Sequence, residues 1–121
     1  MAALSETERD CLDRYVALLA ARLGDRLVAV RMFGSAARGD MWRAHSPMRS
    51  DVDLLVVTAD AVPEAEREDL LNETYPLYLE CGRQLRPHFF SEQRLAEPDD
   101  ERTREFLERI DPDARVVWPA A

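Results

Sequence analysis

Apolar residues recur every three or four positions near the start of the chain. Leu12, Tyr15, Val16, Leu19 and Leu23 fall on one side of a helix predicted over residues 5 to 23. Ser5 followed by Glu8 fits a capping box, and Gly24 is the expected stop. The period then changes. Residues 26 to 33, RLVAVRMF, are β-rich and largely apolar, as in a strand covered on both faces. After Gly34-Ser35 a short helix is expected through Ala36 to Arg38, then a polar loop at 41 to 50 interrupted by Pro47. Residues 51 to 59, DVDLLVVTA, form a second expected strand, again with a buried look.

Pro63 can open a helix that reaches about Gly82, with Leu70, Leu71, Tyr78 and Leu79 as expected core positions. Pro76 inside it should kink or divide it. Residues 83 to 90 read as a third strand, in which Pro87 cannot donate to a ladder and marks an edge or a bulge. Residues 100 to 110 form an amphipathic helix on Phe106, Leu107 and Ile110, and 114 to 118 a short closing strand. Helix and strand alternate throughout, with no internal repeat, low-complexity tract or linker. The expectation is one α/β (or α+β) domain over residues 1–121, long enough for a single core.

Composition narrows the chemistry. The net charge of −8 argues against a nucleic-acid backbone as the main partner. Every basic residue is arginine and none is lysine, so a lysine Schiff base and a P-loop lysine are both excluded. Phosphates must then be held by arginine, hydroxyls or backbone amides. Cys11 and Cys81 are far apart with no metal-ligand spacing, and are expected as reduced, partly buried thiols. No stretch approaches the roughly 18 apolar residues of a membrane span, and the N-terminus has no signal-peptide pattern. The expected compartment is the cytoplasm.

Two short motifs carry candidate chemistry. Asp51 and Asp53 are two apart on a strand, so both carboxylates point to one face and repel unless a cation lies between them. Mg²⁺ (or Mn²⁺) suits such a pair together with substrate phosphate. Alone, the pair is a weak signal and better describes two aspartates decorating an exposed strand start. Gly34-Ser35 is equally common as a plain turn, yet glycine permits close backbone approach to a ligand. Amides at the start of a following helix offer anion donors, and Ser35 adds a hydroxyl.

Taken together, GSAARGD followed by SDVDLLVV resembles the signature of the small nucleotidyltransferases of the DNA polymerase β superfamily. The minimal branch related to kanamycin nucleotidyltransferase is the most similar. The tight likeness covers roughly residues 31 to 58. It implies a single mixed sheet flanked by helices and binding of ATP as a Mg-nucleotide. It also implies transfer of a nucleoside monophosphate to a hydroxyl. Gly34 and Ser35 would hold the β- and γ-phosphates, Arg38 would help on the triphosphate or merely cap its helix, and Asp51 and Asp53 would carry the metals and the catalysis.

Two departures stand out. The loop between Ser35 and Asp51 is a few residues longer than the family's, with Trp42, His45 and Met48 in the extra stretch. They could frame the nucleotide or form a solvated insertion. Catalytic members also carry a third carboxylate on the strand beside the D-x-D strand. Here that strand holds no acid between Arg83 and Ser91; Arg86 or His88 occupies the expected face, and Glu80 precedes it. His88 could act as a base or be a strand histidine without a catalytic role.

The core fold consumes almost the whole chain, so the acceptor is expected on another subunit. Stand-alone members of this kind resemble the antitoxin half of toxin–antitoxin pairs, which implies a HEPN-type protein partner whose tyrosine would be adenylylated or masked. The other readings are a degenerate nucleotidyltransferase-fold binding module, a small-molecule nucleotidyltransferase, and an acidic interaction domain without a nucleotide site.

Overall fold

The computed structural model describes residues 4–34, 51–110 and 114–119. The expectations for Ser35, Ala36 to Arg38 and the loop at 41 to 50 lie outside them. In chain order the elements are α1 (Glu6–Leu23), a 3₁₀ turn (Gly24–Arg26), β1 (Leu27–Phe33) and β2 (Val52–Thr58). Then follow α2 (Glu64–Asn72), α3 (Thr74–Cys81), β3 (Leu85–Ser91), α4 (Glu92–Ala96), α5 (Glu101–Ile110) and β4 (Arg115–Trp118). The short α4 has no counterpart in the sequence reading.

The four strands make one mixed sheet in the order β3-β2-β1-β4. The central pair β1–β2 is antiparallel, as is β1–β4, whereas β3 lies parallel to β2. Alternation along β2 sends Val52, Leu54 and Val56 to one face and Leu55 and Val57 to the other. The first face packs on Leu12, Tyr15, Val16 and Leu19 of α1 and on Leu70 and Leu77 of α2 and α3. The second packs with Phe33, Phe90 and Ile110, with Phe106 and Leu107 of α5 against it. Burial on both faces is what the continuous apolar runs of β1 and β2 require.

Helix α1 begins as its capping box dictates. The Ser5 hydroxyl accepts from the Glu8 amide at 3.1 Å, and the Glu8 carboxylate accepts from the Ser5 amide at 2.9 Å. Midway along it, the buried Tyr15 hydroxyl donates to the Leu70 carbonyl at 2.7 Å, tying α1 to α2.

Pro76 divides the expected 63-to-82 helix, but the break falls at Glu73, three residues earlier. In an unbroken helix the proline could not donate to the carbonyl of Asn72 and its ring would press on that carbonyl. The core stripe therefore runs through Leu70, Thr74 and Leu77. Leu71, Tyr78 and Leu79, expected inside, are 40%, 41% and 65% exposed. One step of register separates the expectation from the observed face.

Cys11 and Cys81 are joined as a disulfide between α1 and the end of α3, with Cα atoms 6.7 Å apart. The expectation of two reduced thiols is corrected by packing: α3 lies against α1, which brings together residues that spacing keeps 70 positions apart.

β3 is an edge strand. The Gln84 carbonyl accepts from the Val52 amide at 2.9 Å, so even-numbered backbone groups of β3 face β2, and Leu85, Pro87 and Phe89 turn theirs outward. Pro87 thus sits where its missing N–H removes nothing from the ladder. No helix among the described residues is long and apolar enough to cross a membrane.

Candidate nucleotide and metal site

Phe33 at the end of β1 pairs with Asp53 near the start of β2, so Gly34, the next residue, lies beside the Asp53 carboxylate. Gly34 has φ 80°, a left-handed conformation that favours glycine. A Cβ there would come within 2.9 Å of Asp53 Oδ2. The backbone of Gly34 and the Asp53 carboxylate are therefore in close approach. Only a residue without a side chain permits it.

Parallel pairing places Arg86 opposite Asp53 and His88 opposite Leu55. A guanidinium nitrogen of Arg86 contacts Asp51 Oδ2 directly, and its Nε lies 4.0 Å from Asp53 Oδ1. His88 Nε2 lies 3.5 Å from the same Asp53 oxygen. The His88 ring is braced by Phe33 and Phe106, with centroids 5.4 and 5.5 Å away. Aromatic packing so orients the imidazole toward Asp53. Glu80 is elsewhere, bonded to Arg14 of α1 at 2.6 Å, and gives no third carboxylate to the pair.

Gly34 lies against Asp53, and Arg86 reaches both Asp51 and Asp53 as an ion-pair partner. Its face on β3 was legible in the sequence, but the contact depends on the parallel register. Among the described residues no group of three or more His, Cys, Asp or Glu side chains could hold a metal unaided. The donor chemistry nonetheless fits one hard divalent ion, which takes one or two carboxylates and completes its shell with water and substrate phosphate. The glycine cradle beside Asp53 leaves backbone close at hand for such a phosphate.

The family model for the nucleotidyltransferase domain matches residues 17–117, and the chain belongs to that family. No curated protein matches the sequence. A structure assigned as a minimal nucleotidyltransferase is 29% identical, with TM-score 0.53 and coverage of 95% of both chains. A toxin–antitoxin crystal structure with AMP-PNP is 16% identical, with TM-score 0.55, covering 89% of this chain and 73% of that one. Spectinomycin adenyltransferase AAD(9) from Enterococcus faecialis, solved with ATP and spectinomycin, is 20% identical at TM-score 0.57. That match covers 89% of this chain and 48% of the adenyltransferase. The last two likenesses speak for the fold alone.

Proposed function

We infer that this domain binds a nucleoside triphosphate, ATP by preference, with Mg²⁺ or Mn²⁺, and transfers its nucleoside monophosphate to a hydroxyl on a protein partner. The observation that carries the reading is the approach of the Gly34 turn to Asp53 at the mouth of β1 and β2. Backbone at Gly34, the Ser35 hydroxyl and Arg38 would hold the β- and γ-phosphates. Asp51 and Asp53 would hold the cation, which supplies charge neutralisation on the polyphosphate and a lower pKa at the acceptor hydroxyl. The acceptor oxygen would attack the α-phosphorus as the bond to the β-phosphate oxygen breaks and pyrophosphate leaves. β3 carries no carboxylate, and His88 is held toward Asp53, so the hydroxyl proton would pass to solvent. Losing a general base costs on the order of 10²-fold or more, so slow turnover is expected.

A protein acceptor is supported by the surface of α2 and α3. Among the described residues, Leu71, Tyr75, Tyr78 and Leu79 are four of six exposed large hydrophobic side chains. Exposed aromatic clusters of this kind mark protein interfaces. The toxin–antitoxin neighbour and the likeness to antitoxins favour a HEPN-type partner. A second reading, in which the fold masks its partner without transfer, is favoured by Arg86 lying on Asp51 where a catalytic carboxylate would be expected. Thermal shift with Mg-ATP tests the nucleotide site, because a ligand of the native state raises Tm by mass action. Asp53→Asn should abolish that shift; a full shift in the variant would overturn the assignment. Pyrophosphate release in the presence of the partner separates transfer from masking.

A further inference from the structure

The Asp51–Asp53 pair is already neutralised in part. Arg86 contacts Asp51 and approaches Asp53, and His88 Nε2 lies 3.5 Å from the same Asp53 oxygen. A divalent ion arriving alone would have to displace a guanidinium and, among the described residues, would find two carboxylates in return. It would gain no phosphate oxygen. A nucleotide changes that balance, because a polyphosphate is itself a strong guanidinium ligand, through paired and charge-assisted hydrogen bonds. Arg86 is free to make the exchange: its side chain is 58% exposed and stands on a long stem at the edge strand.

We propose that Arg86 is a built-in counter-cation that closes the carboxylate pair to free divalent ions and swings to the nucleotide polyphosphate, so that metal enters only together with nucleotide. The proposal rests on the nucleotide-binding reading above. It assigns Arg86 two opposed effects, competition with the metal and attraction for the nucleotide. A merely structural residue would show neither.

Mn²⁺ binding without nucleotide, read from the free-ion electron paramagnetic resonance signal, measures the first effect. ATP binding in EDTA, read by calorimetry, measures the second. Arg86→Gln should bind Mn²⁺ at least about tenfold more tightly, the scale of removing one cation a few ångströms away even when it is screened as in water. It should bind metal-free ATP about tenfold more weakly. Arg86→Lys, which keeps the charge, should stay near wild type for Mn²⁺. Unchanged Mn²⁺ affinity in Arg86→Gln, or affinities for Mn²⁺ and ATP that move in the same direction, would overturn the proposal. If wild type then still binds ATP with Mn²⁺, the nucleotide reading survives that failure. Wild-type protein that binds no ATP with Mn²⁺ overturns the nucleotide reading and this proposal with it.

Discussion

Gly34 lies so close to Asp53 across the β1–β2 pair that a Cβ on the glycine would come within 2.9 Å of the aspartate Oδ2. Gly34→Val therefore meets two obstacles. The left-handed backbone at φ 80° costs a β-branched residue about 1–2 kcal/mol, and the added carbons push on the carboxylate. The variant should melt lower and lose nearly all ATP affinity by calorimetry. Wild-type affinity in Gly34→Val would refute the phosphate cradle.

Leu79 projects from the exposed face of α3, beside Tyr75 and Tyr78. Leu79→Asp should leave the isolated domain within about 0.5 kcal/mol of wild type, as surface substitutions generally do. It should abolish co-purification with the HEPN-type partner proposed above when the two are co-expressed. A complex of undiminished yield would move the interface elsewhere.

Tyr15 is buried with its hydroxyl on the Leu70 carbonyl, and burial, with the Glu73 charge second, pushes that hydroxyl's pKa well up. The unfolded chain releases this proton near pH 10, about the ordinary tyrosine value, while the folded chain retains it. Stability from this group is therefore complete below about pH 10 and falls as pH rises beyond it. Tyr15→Phe should cost about 1–2 kcal/mol at neutral pH by leaving the carbonyl unpaired. It should also flatten the alkaline decline seen in urea melts between pH 9 and 11, a range chosen about the ordinary pKa. An equally steep decline in the variant would assign it to other groups.

The Cys11–Cys81 bridge closes a long loop, its ends 70 positions apart. In the chain-entropy account a bridge of that span contributes about 4 kcal/mol. Reductant should lower the urea midpoint of the wild type and leave a Cys11→Ser/Cys81→Ser double variant unaffected. Identical midpoints with and without reductant would show that the bridge contributes nothing to stability.

Much of the scaffold was legible because its signals are local. The Ser5–Glu8 box, the apolar stripe of α1 and the runs of β1 and β2 each settle their element from neighbouring residues. The α2–α3 face was misread because Leu71 and Leu79 are as apolar as Leu70 and Leu77, and Tyr78 carries a large apolar ring. Only the break before Pro76 decides which set turns inward. At the site, Gly34, Asp51 and Asp53 announced themselves by residue type. The Arg86 contact and the cysteine bridge arise from β3 lying parallel to β2 and from α3 packing on α1. Such long-range pairings have no local signature.

The outward edge of β3 has one further consequence. Between the carbonyls of Leu85 and Phe89 it presents Pro87, an acceptor without a donor. A strand from a second molecule seeking to extend the sheet would lose a hydrogen bond in the middle of its ladder. The proline beside the carboxylate-facing residues Arg86 and His88 thus acts as a guard against fibre-like stacking, leaving the site end of the sheet open to ligands while denying it to copies of its own backbone.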